Sequence, residues 1–381
     1  MKIALLTDGI YPFSIGGMQK HSFFLIKYLS KNKIFTDVYC RDNQYNKEDF
    51  FALFTDNEKR YISLNYVKYP LLPYFPGHYL ATSYLYSKKI YSKFKKDLMV
   101  DFIYAQGFTG WELVKKKKNG ETLPPIGINF HGLEMYQIAP SFRSKLEQYM
   151  FRPFVSYNLR NADAAFSLGG NLNNILECIG VDKNNIYLSP NGVEEKWCTD
   201  SIKKPEEKRH FLFIGRYERR KGIEELHTCL KKMEKYQDKF TFHFVGPIPD
   251  HLKLHLPNIK YWGVIKDEEE MRSIFRQCDI LVCPSYSEGM PTVILEAMAS
   301  GLAVIATDVG AVKIMVSEEN GWLIKPGDED SLLKSMQDAC EVKNDDLMNM
   351  KTNGRDLFKK NYSWNKVIET TINSIINHHV R

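Results

Sequence analysis

The chain has 381 residues, 44% apolar and 26% charged, with 23 Gly, 16 Pro and a formal net charge of +6. At roughly 150 residues per domain this length predicts two domains, at most three, and the composition excludes disordered, collagen-like and coiled-coil chains. The seven cysteines (40, 178, 198, 229, 278, 283 and 340) are scattered and form no C-x-x-C pair, so they read as reduced core thiols of a cytosolic protein.

The charge is uneven. Residues 1–200 hold 25 Lys and Arg against 19 Asp and Glu, whereas residues 201–381 hold 27 against 27. The first half is therefore expected to face something anionic. In chain order, "KIALLTD" (2–8) is a short apolar run, and Asp8 cuts it too early for a secretion signal. "GGMQKHSFFLIKYLSK" follows as a predicted helix. "DVYC", "DFIYAQG", "IGINFHG", "AAFSLG" and "IYLSPNG" are expected as buried strands, each ending in turn residues. "KKKK" (115–118) ends a predicted helix, where cations favour the carbonyl end of the dipole; an anion-binding role is the lesser alternative.

Around 191–210 the pattern lapses into a polar, charged stretch. It restarts with "FLFIGR", "FTFHFVG", "IKYWGV", "DILVCPS", "LAVIATD" and "GWLIKPG". Strand–helix alternation predicts an α/β fold of parallel, doubly wound sheets. The predicted division is a Rossmann-like domain over 1–203 and a second over 204–362, facing each other across a cleft. Apolar or Thr residues at 364, 367, 368, 371, 372, 375 and 376 mark one helical face. Residues 363–381 are therefore expected as a helix that packs back on the first domain. The longest apolar-rich window, "TVILEAMASGLAVIATDVGAV", contains Glu296 and Asp308, so no membrane span is predicted.

Ligands of open parallel sheets bind beyond the carboxyl ends of the strands. In "YSEGMPTVILEAMASG" (286–301), Pro291 reads as the first helical residue and Gly301 as the residue past the end. Glu288, Gly289 and Met290 then form the loop before a helix whose free N–H groups suit phosphate. Glu288 beside them fits a sugar hydroxyl, and Glu296 a second one such as a ribose hydroxyl; a helix-start charge and a plain surface residue fit equally well. In "FIGRYERRKGIEEL" (213–226), Arg216 and Lys221 place two cations beyond one strand, suited to a diphosphate. Arg219 and Arg220 read as a solvated turn.

"SIGGMQKH" (14–21) is a glycine loop before a helix, neither a G-x-G-x-x-G nor a Walker pattern. His131, ending "INFH", is either a cleft residue or a satisfied structural one. "GDEDSL" (327–332) contains Asp-x-Asp, but helix capping explains it better than a metal–nucleotide site. No His/Cys cluster has metal spacing, and no Gly-x-Ser-x-Gly elbow is present.

These motifs, in this order, resemble the family 4 retaining glycosyltransferases of the GT-B fold. The resemblance rests on Gly16, Gly17 and His21; on "FHG" with His131; on "SPNGV" with Asn191 and Gly192; and on "GRYERRKG" and "SEGMPTVILEAMASGLAVIATDVG" with the Glu288-x7-Glu296 pair. It implies a nucleotide-diphospho-sugar donor, UDP-sugar favoured, with Arg216 and Lys221 on the diphosphate and backbone N–H groups of Met290, Thr292 and Val293, around Pro291, beside it. Glu296 would take the ribose, Glu288 the donor sugar with Gly289 next to it, and Val264 the base. His131 and the Gly16–Gly17 loop would lie at the reaction centre, and Gly16, Gly17 and Asn191 would be among the residues that bind the nucleotide-sugar. The departures are Gln19, Ala311, Ile314, Met290 and Thr292.

The resemblance further implies a retaining, metal-independent hexosyltransferase without a cofactor. Its partners would be the donor and a glycan or lipid-linked acceptor, not nucleic acid. The expected setting is surface polysaccharide or lipopolysaccharide synthesis in the cytoplasm, with possible attachment to the inner face of an anionic membrane. The basic first half and "YPLLPYFPGHYLATSYLYSKKIYSKFKK" (69–96) carry that last expectation, though 69–96 also fits a core helix with a solvated basic face. The alternatives are a nucleotide-sugar epimerase of the same architecture and a non-catalytic sugar-nucleotide-binding protein.

Overall fold

The computed structural model describes residues 1–42, 46–95 and 99–379, with side chains of 377–379 excepted. Lys96 of the Tyr- and Lys-rich segment, and Val380 and Arg381 of the closing segment, lie outside the described residues.

Thirteen strands form two wholly parallel sheets among the described residues. The first contains β1 (Lys2–Leu6), β2 (Phe35–Arg41), β3 (Ile62–Val67), β4 (Phe102–Gln106), β5 (Ile126–Asn129), β6 (Ala164–Ser167) and β7 (Ile186–Leu188). The second contains β8 (Arg209–Ile214), β9 (Phe240–Val245), β10 (Ile259–Gly263), β11 (Ile280–Cys283), β12 (Ala303–Thr307) and β13 (Gly321–Ile324). Their orders are β3-β2-β1-β4-β5-β6-β7 and β10-β9-β8-β11-β12-β13. Central strands such as β12 ("AVIAT") are buried along their whole length because helices cover both faces.

The helices are α1 (Gly17–Lys31), α2 (Lys47–Phe51), α3 (Asp56–Lys59), α4 (His78–Phe94), α5 (Trp111–Lys118), α6 (Phe142–Asn161) and α7 (Asn171–Cys178). They continue with α8 (Ile223–Lys232), α9 (Glu268–Gln277), α10 (Thr292–Ala299), α11 (Glu329–Glu341), α12 (Asn344–Asn361) and α13 (Trp364–His379).

Three features differ from the sequence reading. β3 was not foreseen: "ISLNYV" buries Ile62 and Leu64 around an exposed Ser63, so it lacks a continuous apolar run. β7, expected to be buried, is an edge strand with Leu188 43% exposed. Cys178 is exposed and Cys198 half-buried rather than core thiols, although all seven cysteines are free.

One apolar cluster runs from Ala105, Ile128 and Leu168 of the first domain into Leu281, Met290 and Ala306 of the second. Trp364 opens α13 by stacking on Phe24 and Tyr28 of α1, at centroid distances of 5.4 and 5.7 Å. Val367, Ile368 and Ile375 then bury their side chains with the core of the first sheet. Each sheet reverses its strand order once, between β1 and β4 and between β8 and β11. Those reversals open crevices at the carboxyl ends, where doubly wound folds bind ligands.

Candidate active site

At the second crevice, β8 ends before Gly215 and Arg216, and β11 ends before the 284–291 loop. Gly222 adopts φ +67, and a Cβ there would sit 2.0 Å from the Pro284 carbonyl oxygen. Only glycine lets the two loops touch this way, and the contact delivers Lys221 to Glu288. The Lys221 Nζ lies 2.6 Å from Glu288 Oε1, which also accepts from Ser285 Oγ at 2.8 Å. Arg220 adds an ion pair to Glu288 Oε2 at 3.4 Å and donates to the Ser287 carbonyl at 2.9 Å.

Burial opposes the charge on Glu288, but Lys221 and Arg220 outweigh it and hold the carboxyl below the usual range. The expected solvated turn is therefore not one. Arg220 joins the cluster, and Arg219 pairs with Glu225 and donates to Tyr286 Oη at 3.0 Å. Arg216 stands apart from the cluster, 70% exposed and 3.0 Å from Glu218.

Pro291 caps α10 rather than opening it, and Thr292 and Val293 supply first-turn N–H groups without intrahelical acceptors. Gly289 meets the other domain: a Cβ on it would lie 2.9 Å from Gly132 Cα, next to His131. Gln137 clamps the same contact, donating to the Glu288 carbonyl at 2.6 Å and accepting from the Glu288 N–H at 3.2 Å. Asn191 donates to the Met290 carbonyl at 2.8 Å, while its buried Oδ1 has no partner among the described residues. Ala311 donates to the Gly289 carbonyl at 2.7 Å, and Ile314 packs near Gly169.

Glu296 is buried and pairs across the crevice with Lys20 of α1 at 3.1 Å. This carboxylate, first of all, raises the Lys20 pKa. Beside the pair lies a cavity of about 370 Å³, walled by Phe23, Phe24, Trp197, Ile265 and Lys266. Val264, 58% exposed, precedes that wall but is not part of it. Glu296 lines this cavity, and Glu288 does not.

At the first crevice Gly16 caps α1 and Gly17 begins it. His131 has a left-handed backbone, φ +59, and its Nε2 lies 2.7 Å from Gln106 Oε1. The Gln106 amide nitrogen lies 3.1 Å from His21 Nδ1. With the amide in this orientation, His131 donates through Nε2 and keeps Nδ1 as an acceptor. Gln19 donates to Asp8 Oδ1 at 2.8 Å, and burial pushes the Asp8 carboxyl up. Gln106, Lys20, Gln137 and Ser285 escaped the sequence reading. Gln106 alone left a signal, as the polar end of the strand beside the crevice. Among the described residues no group of three His, Cys, Asp or Glu side chains could hold a metal ion. Asp328 caps α11 by accepting from the Ser331 N–H at 3.0 Å.

Burial pulls His131, His227 and His243 down to about 4 from an ordinary 6.5, and lowers His21 and His210 too. The unfolded chain then binds more protons between those values. The contribution to stability is complete above pH 6.5 and is lost as pH falls through the folded-state values. Asp8 and Glu134, raised by burial, oppose this with fewer groups. Urea denaturation should show lower stability at about pH 5 than at about pH 7, each titrating histidine contributing at most about 1.4 kcal/mol per pH unit. A flat or opposite trend would refute the neutral assignment of the buried histidines as a group.

Comparison with known proteins follows this division of the chain. The family described as Glycosyltransferase Family 4 matches residues 15–197, and Glycosyl transferases group 1 matches 208–341. An uncharacterised glycosyltransferase of Methanocaldococcus jannaschii is 27% identical over 380 residues, 97% of this chain and 96% of that protein. A Bacillus subtilis protein named as a teichuronic acid biosynthesis glycosyltransferase is 36% identical over 132 residues, 35% of this chain and 33% of its own. HepE of Anabaena, solved with UDP and glucose, superposes with a TM-score of 0.69 at 16% identity, covering 99% of this chain and 100% of its own. Two parallel domains meeting at their crevices, each half matched by its own family pattern, place this chain in the family 4 glycosyltransferases of the GT-B fold.

Proposed function

We propose that the chain is a retaining, metal-independent hexosyltransferase that uses a nucleoside-diphosphate sugar, with UDP as the favoured nucleotide. The acceptor is a glycan or lipid-linked glycan of a surface polysaccharide. The observation that carries this reading is the Lys221–Glu288–Ser285 cluster, placed where the N–H groups of α10 face the cleft. The helix N-terminus suits the diphosphate, and Lys221 and Arg216 neutralise it as it leaves. Glu288 accepts from donor-sugar hydroxyls. Glu296 accepts from the ribose, a role for which Lys20 must move or share the carboxylate. The resemblance to the teichuronic acid protein supports a polysaccharide, and the UDP held by HepE on the same fold supports the nucleotide.

In the reaction the bond between the anomeric carbon and the β-phosphate oxygen breaks, and the acceptor oxygen bonds to that carbon from the same face. The acceptor proton passes to the departing phosphate oxygen, so retention needs no covalent enzyme intermediate. His131, neutral, offers Nδ1 to a sugar hydroxyl near the reacting carbon.

The test measures UDP affinity by calorimetry and turnover by UDP release. Glu296→Ala should weaken UDP by about 10- to 100-fold, the loss of a hydrogen bond to a charged group. Glu288→Gln should leave UDP binding nearly unchanged and lower kcat by about 100-fold. Loss of UDP binding in Glu288→Gln would reverse these roles. Conversion of the sugar without an acceptor would instead make the protein an epimerase.

A further inference from the structure

Twelve of the 22 exposed large apolar side chains among the described residues fall from Leu71 to Phe154. They include Leu71 (87% exposed) and Tyr74 (86%) before α4, and Phe142 (84%), Leu146 (61%) and Tyr149 (51%) on α6. The first three turns of α6 contain no buried residue; only Val155, Asn158 and Leu159 are buried. Phe142, Leu146, Tyr149, Pro153 and Tyr157 follow the i, i+4, i+7, i+11, i+15 pattern, which keeps them on one side of the helix. The opposite side turns Ser144, Gln148 and Phe151 to a cleft chamber shared with Phe130 and Glu134. One helix thus separates the catalytic cleft from an apolar outer face.

The same helices concentrate positive charge. α4, α5 and α6 together hold eleven Lys and Arg against two Glu, an excess of nine where the whole chain has six. Between them lies a groove of about 680 Å³ lined by Leu80, Tyr84, Trp111, Pro153, Phe154 and Tyr157, with Lys115 on its rim. Lys115 sits 5.3 Å from the Tyr84 ring centroid and Lys118 sits 5.0 Å from that of Tyr157. Pro153 and Tyr157 continue into a second hollow bounded by Lys118 and Arg160. Apolar walls that end in cations match a lipid chain with an anionic headgroup.

We infer that the outer face of α4, α5 and α6 docks onto the anionic leaflet of a lipid bilayer, with one lipid chain in the Tyr84–Trp111–Tyr157 groove. This goes beyond the donor chemistry and holds whether or not the roles of Glu288 and Glu296 are right. It also relocates the interfacial segment read from residues 69–96. α4 buries Leu80, Tyr86, Ile90 and Phe94, so its apolar residues serve mainly the core, and α6 carries the exposed stripe. Cations attract the protein to the surface over about a Debye length, and the stripe then inserts.

The full chain is tested by co-sedimentation with vesicles of phosphatidylglycerol and phosphatidylcholine in equal parts, and with phosphatidylcholine alone. Binding is expected only to the anionic vesicles, and release is expected in high salt. The Phe142→Ser/Leu146→Ser variant removes exposed groups only, and should bind at least about tenfold more weakly. Lys115→Glu/Lys118→Glu should do the same, and both variants should keep wild-type melting temperature and UDP affinity. Equal binding to neutral vesicles, no binding, or unchanged binding by both variants overturns the assignment. So does a concentration-dependent dimer that Phe142→Ser/Leu146→Ser dissociates, because the face would then pair two copies. Failure of donor turnover with intact vesicle binding would fault the proposed function and leave this inference standing.

Discussion

Lys221→Ala is expected to lower kcat by about 100- to 1,000-fold while the fold stays intact. As the sugar–phosphate bond breaks, negative charge grows on the departing diphosphate. A fixed ammonium interacts with that charge more strongly in the transition state than in the bound substrate, so its loss affects kcat more than ground-state affinity. The structure adds a second consequence. Lys221 is the 2.6 Å partner of Glu288, and without it the buried carboxylate keeps only Arg220 at 3.4 Å and Ser285. Burial then weighs against fewer compensating charges, and the Glu288 pKa rises.

The acidic limb of the pH–rate profile should therefore move to higher pH in Lys221→Ala. Lys221→Met, similar in length but neutral, should behave alike. Because the two groups act as a pair, Lys221→Ala combined with Glu288→Gln should lose less than the product of the two single losses. Near-normal turnover in Lys221→Ala would remove the lysine from the leaving-group role. A multiplicative double variant would remove the coupling.

Lys351→Ala should destabilise the protein by about 3–5 kcal/mol, the cost of leaving a buried charge without its partner. Lys351 is fully buried on α12, with Nζ 2.9 Å from Asp279 Oδ1 and 2.8 Å from the Lys203 carbonyl. Asp279 Oδ2 receives the Lys203 ammonium at 3.1 Å and the His210 N–H at 3.0 Å. Burial works against both charges: it pulls the Lys351 pKa down, while Lys351, Lys203 and the His210 N–H together hold Asp279 below its usual range.

The triad ties α12 and the inter-domain connection to the start of β11, the strand that carries the Glu288 loop. Lys351→Met with Asp279→Asn removes both charges and should cost less than Lys351→Ala alone. Thermal unfolding is the measurement, with a drop of roughly 10 °C expected for the single variant. A loss below about 1 kcal/mol would show that Lys203 and the His210 N–H hold the Asp279 charge without Lys351.

Local sequence was enough for the parts of the protein that depend on chain neighbours. Continuous apolar runs ending in Gly, Asn or Ser announced the parallel strands, because a strand covered on both faces must be apolar throughout. Gly301 marked the end of a helix, where other residues adopt the backbone with strain, and it has positive φ. The spacing of Glu288 and Glu296 around one helix start was visible as a motif. The edges were not: β3 and β7 have one covered side and little apolar signature.

What each charge faces was decided only by the tertiary structure. Arg220 and Lys221 are neighbours of Arg216 in sequence, yet the left-handed turn at Gly222 sends the first two to Glu288 and leaves Arg216 in solvent. Lys20 is 276 residues from Glu296 and reaches it only because the two domains close on each other. Gln137 and Gln106 carry no spacing signal, since an amide is useful in a cleft only for the carbonyl or imidazole placed opposite it. Whether an aromatic residue of α6 faces core or solvent depends likewise on which helices pack beside it. Helical periodicity predicts a stripe, but a neighbour must be present to cover it, and among the described residues none covers the stripe from Phe142 to Tyr149.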